Sequence, residues 1–286
     1  MGDTTYEAFR QWVGRQREEH DTITAWPVKA MCATLDQPGA EPATGDEVPP
    51  AWHWLYFLEA RAASQIGTDG HPQRGDFLPP VPLPRRMWAG GRIEWRSPLR
   101  VGDAATRLSE IRSVEPKTGR TGTLVFVTVR HTISTAAGVS IVEEHDIVYR
   151  EAAKAGDPLP APRPGPAGAV WTRARVPDEV MLFRYSALTF NGHRIHYDAP
   201  YVTGTEGYPG LVVHGPLQAT LLLDLARAHA PSGHRLAKFE YRALSPTFSG
   251  TELTVKGIPT PDGKSAQVWA ESSGGGQTMA GTVFYG

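Results

Sequence analysis

Two histidine-bearing segments carry the residue types that move protons. Phe190-Asn191-Gly192-His193-Arg194-Ile195-His196-Tyr197-Asp198 gathers imidazole, amide and carboxylate groups into one short stretch. Further along, His214-Gly215-Pro216 opens an apolar run. An imidazole titrates near neutrality, so His196 is a candidate general acid or base. Asn191 would orient a water while His196 moves its proton. Asp198 would orient an imidazole or supply a carboxylate, or equally cap the following turn. A helix starting at Gly215 would aim unpaired N–H groups and its positive end at a developing oxyanion. Pro216 suits the first helical turn, and Gly215 would admit close approach of a substrate. The side chain of His214 either joins this chemistry or simply precedes the helix. His193 and Arg194 flank the site. Together the two segments suit proton transfer beside a carbonyl. A metal reading of His193, His196 and Asp198 lacks a further ligand and matches no metal motif, so no metal is expected.

Elements that would position these residues follow from periodicity. Tyr6, Phe9, Trp12 and Val13 recur at helical spacing and predict a helix over 5–19. A second helix is predicted over 27–35, placing Cys32 as a buried structural thiol. An irregular, proline-bearing stretch follows, broken by Trp52-His53-Trp54-Leu55-Tyr56-Phe57. Beyond Met87 the pattern becomes strands, at 91–95, 105–116, 121–134 and 139–150, with short turns between them. In the second half a strand-like run over 180–189 leads into the polar cluster. A helix over 215–230 is apolar on most sides, which predicts one embedded against a sheet. Strands at 235–244, 252–258, 265–272 and 277–284 complete the chain, joined by turns at Pro261-Asp262-Gly263 and Gly274-Gly275-Gly276.

The 286 residues allow about two domains. The clearest boundary is the proline-rich segment 153–168, which divides an N-terminal part, 1–152, from a C-terminal part, 169–286. The halves echo one another. Residues 92–103 read RIEWRSPLRVGD and residues 238–251 read KFEYRALSPTFSGT, suggesting a duplicated unit. A formal charge of −1 gives no nucleic-acid footprint. A single cysteine precludes an internal disulfide and fits a reducing compartment. The N-terminus has no signal-peptide pattern, and no apolar run is long enough to span a membrane. A cytoplasmic protein is expected, without nucleic-acid or membrane partners.

With the echo, the long helix and the polar cluster taken together, the chain resembles the MaoC-like double hot-dog hydratases and dehydratases. Within them it is most similar to the type-2 3-hydroxyacyl-thioester dehydratase group, which includes itaconyl-CoA and mesaconyl-C4-CoA hydratases. The resemblance is carried by residues 52–57, by Leu83-Pro84-Arg85-Arg86-Met87-Trp88-Ala89-Gly90-Gly91, by 183–198, and by Leu211-Val212-Val213-His214-Gly215-Pro216. It implies an α+β class, a double hot-dog fold of antiparallel sheets each wrapped around a central helix. It also implies a catalytic C-terminal half and a degenerate N-terminal half that helps build the acyl pocket. The broader R-specific hydratase pattern reads Asp-x-Asn-Pro-(Ile/Leu)-His. Aligned on His196, its Asp falls on Asn191, its Asn on His193 and its Pro on Arg194. Asn191 cannot be a base, so the usual Asp/His pair is incomplete.

The activity implied is addition of water to a short enoyl-CoA, or its removal, with itaconyl-CoA or mesaconyl-C4-CoA foremost. His196 would be the acid/base and the Gly215 backbone the oxyanion donor. CoA would enter as part of the substrate, with no other cofactor. Arg242 would meet a CoA phosphate. Arg85, Arg86 and Arg184 would meet that phosphate or a substrate carboxylate, each of these arginines being equally a surface charge, and Tyr185 and Ser186 would line the pocket or equally pack in the core. Pairing of chains into a homodimer is compatible with such a fold. The alternatives are a 3-hydroxyacyl-ACP or -CoA dehydratase of fatty-acid-type chains, a thioester-binding protein without catalysis, and a thioesterase.

Overall fold

A computed structural model describes residues 6–37, 39, 41–119, 122–151 and 162–286. Ten strands form one antiparallel sheet. They are β1 (Gln16–Thr22), β2 (Arg85–Trp95), β3 (Ala104–Gly119), β4 (Gly122–Thr135), β5 (Gly138–Arg150), β6 (Trp171–Arg175), β7 (Leu236–Ala243), β8 (Leu253–Pro259), β9 (Ser265–Ser272) and β10 (Gln277–Tyr285). Their order is β1-β3-β4-β5-β2-β7-β10-β9-β8-β6. Read from either edge inward, each half runs first, third, fourth, fifth, second. The duplication seen in the sequence is therefore a duplication of topology.

The echoed segments meet at the junction of the halves. Ile93 stands opposite Phe239, Arg92 opposite Glu240 and Glu94 opposite Lys238. Because Arg92 corresponds to Lys238 and Glu94 to Glu240, each strand offers its partner the same face it receives. This is the isologous contact of a two-fold dimer, built within one chain. Ile93 and Phe239 are completely buried at its centre.

Among the described residues four α-helices accompany the sheet: α1 (Ala25–Thr34), α2 (Glu179–Leu188), α3 (Ala199–Gly204) and α4 (Gly215–Ala228). Every residue of α4 from Leu217 through Ala226 is buried, as expected for a helix apolar on most sides, and it lies against β6–β10. Its polar residues are answered. Gln218 accepts from the Thr278 hydroxyl at 2.6 Å, and Asp224 accepts from Gln37 at 2.6 Å. α1 instead packs against α2 and the 3-10 turn Trp52–Leu55. Cys32, on α1, is partly buried beside the main core.

Two expected elements are corrected. The helix expected over 5–19 gives way after the 3-10 turn Ala8–Trp12 to strand β1. Gly14, at a φ of 84°, reverses the chain and donates to the Ile111 carbonyl at 2.8 Å. The alternating exposure of 16–22 was hidden by its charged composition, whose partners Arg17–Glu59 and Glu19–Arg107 lie far away in sequence. The strand-like run 180–189 is helix α2. Asp178 caps it by accepting from Met181 N–H at 2.8 Å. Leu182, Tyr185 and Ser186 face inward while Val180 and Phe183 are exposed, so apolar residues on both faces masked the helical period. Strand β6 and helix α3 were not read from the sequence. Most of the 153–168 segment lies outside the described residues. Its end is tied to the β9–β10 hairpin, where Gln277 N–H donates to the Arg163 carbonyl at 2.7 Å.

Phe239→Ala, at the sheet junction, should cost about 3–5 kcal/mol of unfolding free energy. Urea denaturation should show one transition shifted as a whole. A variant that melts in two separate steps would show that the halves are energetically independent.

Candidate functional site

Local geometry brings the two histidine segments together. After α2, Phe190 takes a left-handed conformation at a φ of 47° and turns the chain. Asn191 donates its N–H to the Ser186 carbonyl at 2.8 Å, and its Oδ1 accepts from His193 N–H at 3.0 Å. That turn leads into the 3-10 turn Arg194–His196. Val212 then brackets the imidazole: its N–H donates to the Ile195 carbonyl at 2.9 Å, and its carbonyl accepts from His196 Nδ1 at 2.7 Å. A carbonyl can only accept, so Nδ1 carries the proton and Nε2 keeps its lone pair. Burial holds the His196 pKa down to about 4, so the ring is neutral near pH 7.

His214 fixes the plane of that ring. The two imidazoles stack at 3.6 Å with an angle of 18°. His214 is itself fully buried and bonds Ser186 Oγ through Nε2 at 2.8 Å. Next along the chain α4 begins. Pro216 has no N–H, and the N–H groups of Gly215 and Leu217 meet no acceptor among the described residues. These free donors and the His196 Nε2 lone pair can together accept a proton and hold a negative oxygen.

The opposite wall comes from the first half. A Cβ on Gly215 would lie 2.6 Å from Cε3 of Trp88. The group that closes on this glycine is therefore an indole ring from β2. Trp88 in turn meets Trp54, His145 and Tyr241 at centroid distances of 5.6, 5.4 and 5.0 Å. Behind them sits the buried Glu143. It accepts from Trp54 Nε1 at 3.0 Å and pairs with His53 Nε2 at 3.1 Å. Burial works to raise the Glu143 pKa, but the His53 hydrogen bond and nearby imidazoles hold it down to about 2.

A cavity of about 2070 Å³ runs between these walls. His196, Asn191, His193, Tyr185, Gly215 and Arg86 all line it. Four expected residues do not. His214 stands behind His196. Asp198 caps α3, accepting from Tyr201 N–H at 3.0 Å, and pairs with Arg194 at 2.8 Å. Asp198 is thus spent on local structure, and its carboxylate does not reach the site. Arg194 also donates to the Thr68 carbonyl at 3.0 Å, so it secures a loop and does not line the cavity. Arg242 is exposed on β7, opposite Gly90. Of the other arginines considered, Arg85 is paired with Glu206 at 3.0 Å, and Arg184 donates to the Ala33 carbonyl.

Trp88, Glu143, His53, Asp69 and His71 were missed by sequence reasoning as site residues. The available signal was Asp69-Gly70-His71-Pro72, a turn sequence in which Gly70 takes a φ of 88°. Asp69 Oδ2 accepts from His71 Nδ1 at 3.1 Å, and the His71 ring lies 4.0 Å from that of His193. Ligand atoms of Asp69, His71 and His193 come within 4.8 Å of one another, a spacing a cation could bridge.

Several histidines are kept neutral by the fold. Burial first of all holds His196 at about 4, His131 at about 3 and His193 at about 2. Unfolded histidines take up protons near pH 6.5, so between about pH 6.5 and 4 the unfolded chain binds more protons than the folded one. The stability these groups confer is complete above that window and is lost as pH falls through it, by about 2–3 kcal/mol for each such group. The urea midpoint should therefore drop steadily over that range. A flat midpoint would mean that these rings are protonated in the folded state.

Comparison with known proteins agrees with this geometry. The family model for hydroxyacyl-thioester dehydratase type 2 matches residues 51–249. The mesaconyl-C(4)-CoA hydratase of Chloroflexus aurantiacus is 45% identical over 278 residues, covering 96% of this chain and 97% of that one. A MaoC-like dehydratase structure from Phytophthora capsici aligns over 98% of both chains with a TM-score of 0.72 at 14% identity. A Mycobacterium tuberculosis protein described as having a double hotdog fold aligns over 96% of both chains with a TM-score of 0.61 at 12% identity. The chain has the α+β double hot-dog fold and belongs to the hydroxyacyl-thioester dehydratase type 2 family, whose chemistry is that of a hydro-lyase on thioesters.

Proposed function

We propose that this hydro-lyase hydrates a short dicarboxylyl enoyl-CoA, mesaconyl-C4-CoA foremost, with itaconyl-CoA next. The observation that carries this reading is Arg86. It lines the cavity on the same strand as Trp88 and forms no ion pair among the described residues. A guanidinium without an acidic partner in a cavity matches the geometry of a carboxylate. The relative at 45% identity, named for a dicarboxylyl thioester, supports the same choice. Arg150 also lines the cavity and is exposed, which suits it to a CoA phosphate at the rim.

In this reading the thioester oxygen sits at the start of α4, against the free N–H groups of Gly215 and Leu217. His196 Nε2 takes a proton from water as the oxygen bonds the β-carbon. The π electrons pass to the thioester oxygen, and the imidazolium returns its proton to the α-carbon. Neutral His196 is in the correct state to begin. Asn191, whose Oδ1 is occupied by His193 N–H, offers its NH₂ to the water. His214 acts by holding the ring plane, and Tyr185 forms part of the wall.

The reaction needs no resident cofactor, since CoA arrives with the substrate. The division into an N-terminal hot-dog unit (1–152), a linker (153–168) and a catalytic unit (169–286) fits the repeated strand order. The exposed apolar side chain of Val180 suits a homodimer contact, while the exposed Phe183 and Phe190 also line the cavity. Among the described residues no helix is long and apolar enough to cross a membrane, and a cytoplasmic location is the reading we adopt.

The purified protein should add water to mesaconyl-C4-CoA and far more slowly to crotonyl-CoA, as followed by product mass. Equal rates on both, or preference for long apolar chains, would remove the dicarboxylyl assignment. Arg86→Leu should raise KM for the dicarboxylyl substrate roughly 10- to 100-fold, the scale of a lost charged hydrogen bond, while sparing crotonyl-CoA. His196→Ala should lower kcat by roughly two to four orders of magnitude. It should lower the urea midpoint as well, because the Val212 carbonyl loses its buried partner at a cost of about 1–3 kcal/mol. Rates like those of the unmodified protein would take His196 out of the chemistry.

A further inference from the structure

The motif departs from the hydratase pattern at three positions, and the structure ties two of them, His193 and Arg194, to one loop of the other half. Asn191 replaces the carboxylate, His193 replaces an asparagine and Arg194 replaces a proline. Arg194 N–H donates to the Asp69 carbonyl at 2.9 Å, a bond that proline could not make. The Arg194 guanidinium holds the neighbouring Thr68 carbonyl. Gly70 and Gly192 permit the docking. A Cβ on Gly192 would lie 2.7 Å from the Gly70 carbonyl oxygen, and one on Gly70 would run into the Gly192 carbonyl. The loop 67–71 is thereby clamped onto the segment that lacks its carboxylate. It brings one with it, on Asp69, together with the His71 imidazole.

We propose that His71, oriented by Asp69, is a second catalytic imidazole of the hydration and supplies the acceptor that Asn191 cannot. Asp69 is its positioning residue. A carboxylate can only accept, so His71 Nδ1 carries the proton toward Asp69 and Nε2 is left with its lone pair. Its acceptor then does what an aspartate oxygen would do at position 191. His71 and His196 line the same cavity, and both rings lean on His193, at 4.0 and 5.5 Å. Water held by His71 gives one proton to His196 as its oxygen bonds the β-carbon, and that proton ends on the α-carbon. Atoms and charge balance without any added reagent. The inference rests on hydro-lyase chemistry and is independent of which acyl group is used.

The charged and titratable neighbours of His71 favour a neutral ring. Burial first, then the Arg86 guanidinium, hold its pKa below the ordinary histidine value. Asp69 opposes them, and Arg74 adds to the lowering. His193 and His196 are neutral as well. The same surroundings argue against reading Asp69, His71 and His193 as a metal site. A guanidinium charge acts on both imidazoles, and Asp69 is already committed to the side chain and the N–H of His71.

The test uses whichever enoyl thioester the unmodified protein hydrates, so a wrong acyl assignment leaves it intact. His71→Asn keeps an N–H for Asp69 and removes the Nε2 acceptor. It should lower kcat by roughly two to four orders of magnitude while KM and the thermal midpoint stay nearly constant. Asp69→Asn should lower kcat less and move the acidic limb of the kcat/KM profile to lower pH, because the group that favours a protonated His71 is gone. Both variants within about threefold of the unmodified kcat, with an unchanged pH profile, would overturn the proposal. Elemental analysis provides the third arm. Metal-free, active protein supports an imidazole acceptor, whereas a stoichiometric metal lost in both variants would overturn it in favour of a metal centre.

Discussion

The pairing of β2 with β7 is the interaction on which the rest of the molecule depends. Five residues of each strand run side by side, with Arg92 opposite Glu240, Glu94 opposite Lys238, and Ile93 and Phe239 buried between them. A slip of one residue would turn every side chain of one half to the opposite face. It would also pull Trp88 away from Gly215, since Trp88 stands two residues beyond this ladder on β2. The wall of the cavity and the start of α4 are thus held together by backbone hydrogen bonds made elsewhere in the sheet.

Burial does most of the chemical tuning. His196 and His214 stack with little exposed surface, where an imidazolium is disfavoured, and the Val212 carbonyl selects the tautomer. The His196 Nε2 lone pair is therefore free near neutral pH without an adjoining carboxylate. Its basicity is correspondingly weak, which makes the surrounding dipoles and the free N–H groups at the helix end important for stabilising charge as it develops. Glu143 shows the converse. A fully enclosed carboxylate stays ionised because His53 and Trp54 both meet it, and it steadies the aromatic floor on which Trp88 rests.

The two halves have diverged in task while retaining one topology. The second holds the long buried helix and the histidine motif. The first supplies Arg86, which the sequence already offered as a site residue, together with Trp88 and the loop 67–71, whose irregular or mixed composition hid their role. Gly70 and Gly192 are small because two backbones meet there, a requirement that arises between residues far apart in the chain. Sequence logic saw the polar cluster as a self-contained unit. Arg194 and Asp198, which looked like site groups, are instead the fasteners of that unit, one to the loop and the other to α3.

Several features follow from the sequence by itself. The strands of the second half, the embedded helix, the internal echo and the choice of His196 and Gly215 all rest on local periodicity or local residue chemistry, which the chain carries wherever it folds. Those features single out a candidate acid/base group and a helix terminus. Tertiary structure alone decided which groups share their cavity. The charged run of β1 became a strand by pairing with β3, its ion-pair partners lying far away in sequence. The apolar residues on both faces of α2 became a helix because only one face is covered. Asp69 and His71 reached the motif because a glycine pair allowed two loops to touch. These outcomes depend on contacts between distant segments, and no window of sequence contains both sides of such a contact.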